Sequence, residues 1–334
     1  MTHCLAKIIG IGSYLPKRIL SNQDLEKMVD TSDEWIVTRT GIRERRLARE
    51  NEYTSDMGFE AAKKALDDAN LAAKDIDYIF VATLTPDYIF PSTACLLQKK
   101  LQIKDIPAID IQAACSGYLY ALSLAKALVE QKAYKNILIV ASEKLSSIVN
   151  YKDRSTCVLF GDGAAACIVS LEGQGMDLRG ISLGADGGQA DLLKLPAGGC
   201  KRFPSLQTIE EGLHYIHMEG NEVFKHAVRR METASKKCLN LVGMKQEDIS
   251  WLIPHQANKR IIDAIAKRFC HLEEEKVYKE VVKKYGNTSA SSVGIALDEL
   301  KKSGKIRKGE NILLTTFGAG LTWGATILTQ KEKE

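Results

Sequence analysis

The chain has 334 residues, of which 45% are hydrophobic, 26% charged and 7% aromatic, and its formal net charge is +4. This composition is typical of a globular protein with one large or two smaller cores. No apolar run approaches the ~18 residues of a membrane span, and the amino terminus lacks the apolar stretch of a signal peptide. We therefore expect a cytoplasmic protein with no membrane partner. A mild charge without a basic stripe also predicts no nucleic-acid partner.

The eight cysteines stand singly, and none forms a C-x-x-C pair. Zinc sites and thioredoxin-type redox sites are therefore not predicted, and a chain of this length without an export signal is not expected to carry a disulfide framework. Most of the cysteines are expected to be small buried hydrophobes. A chemical role for any one of them needs a separate argument.

The chain resembles itself at two places. Residues 62–83 predict an amphipathic helix, a polar turn and an apolar strand, and residues 235–256 repeat this pattern without a gap. Residues 136–142 (NILIVAS) similarly match residues 311–317 (NILLTTF), and a Gly-rich turn and another apolar run follow each. Both matches have nearly the same offset, which favours an internal duplication over coincidence.

The boundary between the two halves is placed in the polar segment 171–175 (LEGQG), which gives an amino-terminal half of residues 1–173 and a carboxyl-terminal half of residues 174–334. Helical periods that alternate with short β-branched runs predict an α/β fold with parallel or mixed sheets covered by helices. Residues 187–212 are Gly-rich and contain two of the seven prolines, so we expect a loop insertion there.

Cys115 lies where the pattern changes from strand to helix. Residues 106–111 predict a buried strand, and the apolar spacing from Ser116 onward predicts a helix buried on most sides. A thiol at a helix amino terminus faces unpaired backbone N–H groups and the positive end of the helix dipole, which favour the reactive thiolate. A packed structural cysteine fits the local pattern equally well.

Two polar residues of the second half are candidate partners. His255 follows the predicted strand WLIP and precedes a helical pattern, at the strand end where α/β sites are built. Asn287 opens another helix-like run. Each has an ordinary alternative, because a histidine at a strand end is often structural and an asparagine before Thr-Ser is a good helix cap.

Blocks along nearly the whole chain, taken together, resemble the β-ketoacyl-[acyl-carrier-protein] synthase III family, which has the thiolase fold. The blocks are TSDEWIVTRTGIRERR (31–46), AACSG (113–117), FGDGAAA (160–166), LPAGG (195–199), MEGNEVFK (218–225), PHQAN (254–258), YGNTSASS (285–292) and FGAGLTWG (317–324). The resemblance implies a thiolase-like α/β fold of two duplicated halves, with buried helices between mixed sheets. It also implies a catalytic triad of Cys115, His255 and Asn287.

The resemblance implies binding sites as well. The expected CoA-binding residues are Trp35 and Arg39, which would bracket the adenine, together with Arg154, Asn221 and Asn258. The expected acyl-carrier-protein site is Arg260, Lys267 and Arg268, on the polar side of a predicted helix whose other side is apolar. A solvated surface face is the plain alternative for these cations.

Members of the family are homodimers, and Phe90 falls where the partner subunit lines the primer pocket. An ordinary core aromatic is the alternative for Phe90. No resident cofactor or metal is expected, because acyl-CoA and malonyl-[acyl-carrier protein] are the substrates.

The reaction implied is a decarboxylative Claisen condensation that begins fatty acid synthesis. The Cys115 thiolate would take an acyl group, with acetyl-CoA as the expected primer, and His255 and Asn287 would stabilise the enolate left when malonyl-carrier protein loses carbon dioxide. The backbone N–H groups of Cys115 and Ala319 would form the oxyanion hole. Relatives usually carry glycine at the position of Ala319, where a positive φ would cost an alanine ~1–2 kcal/mol. Glu219 is a second departure from the family pattern.

Four other functions compete with this interpretation. A related condensing enzyme could use another primer or a CoA-bound extender. A thiolase would need a second active-site cysteine near FGAGLTWG, which has none. Papain-like peptidases also use Cys, His and Asn, but the strand-turn-helix context does not fit them. An inactive CoA-binding scaffold is the fourth alternative, and only an assay separates it from an enzyme.

Overall fold

The computed structural model describes residues 5–269 and 271–331, so Cys4 and Cys270 lie outside the described residues. The strands are β1 (Lys7–Tyr14), β2 (Arg18–Ser21), β3 (Glu44–Leu47), β4 (Tyr78–Ala82), β5 (Ala108–Ile111), β6 (Asn136–Glu143), β7 (Gly163–Ser170), β8 (Met176–Ala185), β9 (Leu193–Lys194), β10 (His217–Met218), β11 (Ile249–Pro254), β12 (Asn311–Gly318) and β13 (Thr322–Gln330). The α-helices are α1 (Asn22–Glu26), α2 (Asp33–Thr40), α3 (Thr54–Ala69), α4 (Thr93–Lys100), α5 (Gly117–Glu130), α6 (Arg154–Cys157), α7 (Leu206–Glu210), α8 (Gly220–Val242), α9 (Lys259–Ala266), α10 (Glu280–Tyr285) and α11 (Ser292–Lys302).

One mixed sheet of nine strands organises the molecule, in the order β11-β12-β13-β8-β1-β7-β6-β4-β5. The pairs β4–β6 and β11–β12 are parallel, and the pairs β6–β7 and β12–β13 are antiparallel. The two ends of the sheet therefore repeat one arrangement. The ends meet where β1 pairs with β8, at Lys7–Asp177 and Ile8–Met176.

The predicted internal repeat corresponds to matching elements. The first match aligns α3 and β4 with α8 and β11, and the second aligns β6 and β7 with β12 and β13. The helix–turn–strand patterns and the strand assignments are confirmed. The boundary at residue 173 stays a prediction, and β8 begins just after it at Met176. The predicted insertion is not entirely loop, because it contains β9 and α7.

Helices α5 and α11 lie in the main core. Leu119, Leu122 and Val129 of α5 and Val293 and Leu297 of α11 have no exposed surface. Apolar residues on most sides of a helix are what burial in a protein interior requires. One part of α5 differs from the sequence prediction, since Leu124 is 46% exposed.

The amino-terminal ends of these two helices position the candidate site. A 3₁₀ turn, Ala114–Ser116, leads from β5 into α5, and a second, Ser289–Ser291, leads into α11. Cys115 lies on the first turn, and Asn287 lies two residues before the second. The chain therefore presents both residues at helix starts, next to the end of β11 that carries His255.

Candidate functional site

A cavity of about 850 Å³ brings the predicted residues together. Its buried end is lined by Cys115, His255 and Asn287, which are 7%, 4% and 7% exposed. The predicted CoA-binding residues line the same cavity, and most of them are exposed or half-buried: Trp35, Arg39, Arg154, Asn221 and Asn258. The cavity thus joins a buried reactive end to a polar opening.

Burial governs the protonation of Cys115. Burial, with a smaller contribution from the carboxylate of Glu143, raises the pKa of the thiol to about 12, although the Ser289 side chain acts in the opposite direction. The helix start is where the sequence predicts it, but burial opposes its effect and favours the neutral thiol. A helix dipole stabilises a nearby charge by only ~0.3–1 kcal/mol. Desolvation of a fully buried group is the larger effect, because it shifts the pKa by up to ~3–5 units.

The end of β12 packs directly behind the Cys115 backbone. A Cβ atom added to Gly318 would lie 2.6 Å from the Cys115 nitrogen, so a larger residue there would displace the turn. Ala319, the next residue, is not among the non-glycine residues with positive φ, so the strain considered from the sequence does not arise. Ala319 lines a second cavity together with Cys115.

His255 is held neutral and in one tautomer. Burial lowers the pKa of His255 to about 4. Its Nδ1 lies 2.7 Å from the Ser292 hydroxyl, which also accepts a hydrogen bond from the Gln256 N–H at 3.3 Å. A buried hydroxyl proton needs an acceptor, and among the described residues Nδ1 is the acceptor that Ser292 has. Ser292 therefore donates to Nδ1, and the ring proton stays on Nε2.

Asn287 is fixed at both its backbone and its side chain. Its N–H donates to the Leu159 carbonyl at 2.8 Å, and its carbonyl accepts from the Gly161 N–H at 3.0 Å. Its Oδ1 accepts from the Ser289 N–H at 2.9 Å, so the side-chain NH₂ is left as the donor group. The capping role and the proposed chemical role are therefore compatible. Asn287 and His255 each contribute an N–H donor to the cavity.

The predicted adenine site is a cluster of two cations on one indole. The Arg39 and Arg154 guanidinium groups lie 4.8 Å and 5.0 Å from the Trp35 ring centroid. Arg39 is one turn after Trp35 on α2, and Arg154 is held by a hydrogen bond to the Asp30 carbonyl at 2.8 Å. Such guanidinium–indole contacts are favourable, and the flat surfaces suit a purine ring.

Two further predicted CoA residues lie at helix starts. Asn221 is the second residue of α8, and Asn258 caps α9 by accepting from the Arg260 N–H at 2.8 Å. Glu219, the departure noted from the sequence, precedes α8 and lies 3.4 Å from the His217 ring. Asn258 thus has a structural role in addition to its place in the cavity.

The predicted carrier-protein residues lie on and after α9. Ile261, Ile262 and Ile265 are its buried side. Arg260 and Lys267 are exposed and form no ion pair within the described part of the chain, whereas Arg268 pairs with Glu232 at 3.3 Å. A surface groove of about 570 Å³ is lined by Phe224, Val228, Arg260, Asp263, Ala264, Lys267 and Arg268.

Phe90 is not a core residue of the single chain. It is 85% exposed, and neither cavity at Cys115 includes it. Its neighbours Tyr88 and Ile89 are 62% and 86% exposed. The ordinary alternative, a core aromatic, is therefore wrong.

Sequence reasoning missed the second cavity, of about 390 Å³, which adjoins Cys115 on its other side. Its apolar lining comes from distant segments: Leu84, Leu145, Ile148, Phe160, Leu193 and Ile216. It also missed three polar residues near the reactive ones. Ser292 bonds to His255, Ser289 bonds to Asn287, and Glu143 bonds to Ser289. The Ser-rich run after Asn287 was the available signal for the two serines.

Within 5–269 and 271–331, no group of three or more His, Cys, Asp or Glu side chains could hold a metal ion. Over the same residues, none of the helices is both long and apolar enough to span a membrane.

Comparison with known proteins identifies the family. Residues 109–187 match the family model described as 3-oxoacyl-[acyl-carrier-protein (ACP)] synthase III, and residues 239–330 match the model of its C terminal part. The β-ketoacyl-[acyl-carrier-protein] synthase III of Chlamydia caviae is 60% identical over 98% of this chain and 97% of its own. That of Caldanaerobacter subterraneus is 54% identical over 97% of each chain.

A solved structure agrees with these sequence matches. The crystal structure of 3-oxoacyl-[acyl-carrier-protein] synthase III from Aquifex aeolicus is 49% identical, covers 97% of this chain and 99% of its own, and has a TM-score of 0.89. The expected thiolase-like fold is therefore confirmed. The chain belongs to the β-ketoacyl-[acyl-carrier-protein] synthase III family, acyltransferases of fatty acid biosynthesis.

Proposed function

We propose that this chain joins an acyl-CoA primer, acetyl-CoA in the first instance, to malonyl-[acyl-carrier protein] through an acyl-Cys115 intermediate. The observation that carries the proposal is the single cavity in which Cys115, His255 and Asn287 meet below the cluster of Trp35 with two arginines. A buried nucleophile beside two neutral N–H donors suits acyl transfer followed by enolate stabilisation.

In the first half-reaction, the Cys115 sulfur attacks the thioester carbonyl of acyl-CoA and expels the CoA thiolate. The adenine would stack within the Trp35 cluster, where Arg39 and Arg154 provide cationic faces. The oxyanion formed during attack would be bound by the backbone N–H groups of Cys115 and Ala319. The absence of positive φ at Ala319 supports this, because its N–H is available without strain.

In the second half-reaction, malonyl-carrier protein loses carbon dioxide and its thioester oxygen gains negative charge. The His255 Nε2–H and the Asn287 NH₂ can donate to this oxygen, and the enolate then attacks the acyl-Cys115 carbonyl. A histidine with a pKa of about 4 is neutral at physiological pH, so it keeps one well-placed N–H without carrying a charge.

The carrier protein would dock beside α9, where the cations Arg260, Lys267 and Arg268 line a surface groove. A cationic surface of this kind attracts an acidic partner and makes association sensitive to salt. The groove lies next to the main cavity, since Arg260 lines both. A carrier-bound malonyl group could therefore reach Cys115 from this side.

A longer primer is the second candidate, and the apolar cavity of about 390 Å³ beside Cys115 favours it. An acetyl group would fill a small part of that space. In a homodimer, the exposed Phe90 of one subunit would project toward its partner and could reduce the space. The primer is thus set by the walls of this cavity and by Phe90.

Condensation assays with purified carrier protein test the proposal. We expect acyl-CoA and malonyl-carrier protein to give β-ketoacyl-carrier protein and carbon dioxide. His255→Ala and Asn287→Ala should each lower the condensation rate ~10²–10³-fold, because one enolate donor is lost. Both variants should still form acyl-Cys115. Full condensation by either variant would remove that residue from the mechanism, and a panel of acyl-CoAs would separate the two primer classes.

A further inference from the structure

A buried carboxylate lies behind the reactive cysteine and has no part in the reaction as described above. Glu143, the last residue of β6, has no exposed surface. Among the described residues it forms no ion pair, and the neighbouring Lys144 side chain turns away to donate to the backbone carbonyls of Arg49, Glu50 and Glu52. An unpaired buried carboxylate is costly, so its presence calls for a functional reason.

The two oxygens of Glu143 have different surroundings. Its Oε2 accepts three hydrogen bonds, from the Thr85 hydroxyl at 2.7 Å, the Leu84 N–H at 3.1 Å and the Thr83 hydroxyl at 3.2 Å. Its Oε1 accepts one, from the Ser289 hydroxyl at 3.0 Å. With three donors on Oε2, a proton can be accommodated only on Oε1, which faces Ser289.

Thr83 and Thr85 donate their hydroxyl protons to Glu143, because each hydroxyl oxygen already accepts another hydrogen bond. The Thr85 hydroxyl oxygen accepts from the Lys144 N–H at 2.9 Å, and the Thr83 hydroxyl oxygen accepts from the Thr85 N–H at 3.1 Å. Each hydroxyl proton therefore remains for Glu143. The two threonine hydroxyls and the Leu84 N–H favour the ionised carboxylate and so lower its pKa. Burial has the opposite and larger effect, and it raises the pKa of Glu143 to about 7.

Ser289 connects this carboxylate with the nucleophile. It is 1% exposed, adopts a positive φ of 52° and lines the second cavity beside Cys115. Its hydroxyl donates its proton to Oε1 of Glu143 at 3.0 Å, so its oxygen is left to accept the S–H of Cys115 across the cavity that both residues line. A left-handed conformation at a non-glycine residue costs ~1–2 kcal/mol, so the surrounding structure holds Ser289 in this position.

We propose that Ser289 conducts the Cys115 thiol proton to Glu143, and that Glu143 stores this proton while the sulfur carries the acyl group. The proposal rests on the acyl-Cys115 mechanism. Ser289 lies beside Cys115 in the second cavity, and Glu143 acts through it as a positioning and storage group. The charge of Glu143 acts on the Cys115 thiol, whose pKa it raises, whereas His255 bonds to Ser292.

The proton and charge balance closes over one cycle. As sulfur attacks the acyl-CoA carbonyl, the thiol proton passes to the Ser289 oxygen and the Ser289 proton passes to Oε1 of Glu143. The departing CoA thiolate takes a proton from solvent. In condensation, the enolate attacks acyl-Cys115 and expels its thiolate, which recovers the proton from Glu143 through Ser289. The enzyme ends with a neutral thiol and an ionised carboxylate, as it began.

The acylation rate of Cys115 by acetyl-CoA, followed by rapid quenching and intact mass between about pH 5.5 and pH 9, tests the proposal. In the wild-type protein the rate should rise through about pH 7, because an ionised Glu143 is the acceptor, and then level off. Glu143→Gln and Ser289→Ala should be ~10²-fold slower at pH 8 and should lose this inflection. Thr85→Val removes one donor from the carboxylate, so its inflection should move to higher pH.

Controls keep the outcomes distinct. Melting temperatures check that each variant folds, and carbon dioxide release from malonyl-carrier protein should persist in Glu143→Gln, because His255 and Asn287 are untouched. Acylation of Glu143→Gln at or above the wild-type rate would overturn the proposal, since the carboxylate would then only hinder ionisation of the thiol. If wild-type Cys115 takes no acyl group, the proposed function fails instead.

Discussion

The reactive side chains depend on hydroxyl groups that the reaction scheme does not name. Ser292 sets the tautomer of His255, and Ser289 faces the Cys115 thiol while its backbone N–H holds the Asn287 amide. In a buried site, such contacts decide which atom carries a proton, because hydrogen bonds are stronger where the surroundings are less polar than water. The serines after Asn287 therefore determine whether the side chains of Cys115, His255 and Asn287 can donate or accept hydrogen bonds.

Removing the Ser292 hydroxyl should weaken decarboxylation specifically. In Ser292→Ala, Nδ1 of His255 loses its 2.7 Å partner and the ring can carry its proton on either nitrogen. We expect condensation to fall ~10-fold or more, within the range for loss of an enolate donor. Acylation of Cys115 by acyl-CoA should be little changed, and single-turnover assays of each half-reaction measure the difference.

Ser291→Ala is the matched control, because the Ser291 hydroxyl donates to the Thr288 carbonyl at 2.8 Å and forms no bond with His255. It should condense at close to the wild-type rate. If Ser292→Ala also retained full condensation, the tautomer assignment would be wrong.

At the scale of elements, two helix starts and two strand ends build the site. The turns before α5 and α11 present Cys115 and Asn287, the end of β11 presents His255, and the end of β12 passes behind the nucleophile at Gly318. Helix α9 then links this buried end to the surface, since its capping residue Asn258 lines the main cavity.

Charge reversal on α9 should weaken the second half-reaction without affecting the first. Arg260→Glu and Lys267→Glu should each raise KM for malonyl-carrier protein about tenfold, equivalent to ~1.4 kcal/mol, because both cations are exposed and unpaired within the described chain. Acylation by acyl-CoA should be unchanged for Lys267→Glu. Steady-state kinetics at two salt concentrations measure the effect, which added salt should reduce.

Lys305→Glu provides the comparison, because Lys305 is an exposed cation on the loop after α11. An equal rise in KM for Lys305→Glu would mean that only the overall charge matters, and the α9 site would be rejected.

At the scale of the whole molecule, sequence patterns predicted much of the architecture. The repeat at 62–83 and 235–256 anticipates the equivalent ends of one sheet, since identical apolar patterns fold into identical local units. The patterns did not predict that β1 and β8 would join these ends into nine continuous strands. Two residue pairs make that junction, and no local periodicity encodes them.

The candidate site could be predicted only where a residue stands at an element boundary. Cys115, His255 and Asn287 do so, and the sequence placed them there. The Glu143–Ser289 contact joins residues 146 positions apart, and the cavity beside it is lined from distant segments. The pKa of Cys115 depends on complete desolvation, which outweighs the helix dipole that the sequence could indicate.

The β5 end of the sheet exposes apolar residues that predict a dimer. Strand β5 is a terminal strand, Ile109 on it is 43% exposed, and Leu124 on the adjoining helix α5 is 46% exposed. Exposed apolar residues at an unpaired strand edge, such as these and Phe90, are of the kind that a second copy covers. We expect a dimer with twice the mass of one chain by light scattering.

A double variant, Ile109→Lys with Leu124→Lys, should shift that mass to one chain, because burying two unpaired charges at an interface is costly. Leu241→Lys is the control, since Leu241 is 68% exposed on α8. A monomeric wild-type protein would contradict the homodimer and, with it, the role of Phe90 in a partner's primer pocket.

Intact mass after exposure to acetyl-CoA tests the central claim, that Cys115 carries the acyl group. We predict one acetyl adduct on the wild-type protein, mapped to the peptide that contains Cys115, and the same adduct on His255→Ala. Cys115→Ala should show none. An adduct that persists in Cys115→Ala, or that maps to the exposed Cys95 or Cys200, would contradict the account.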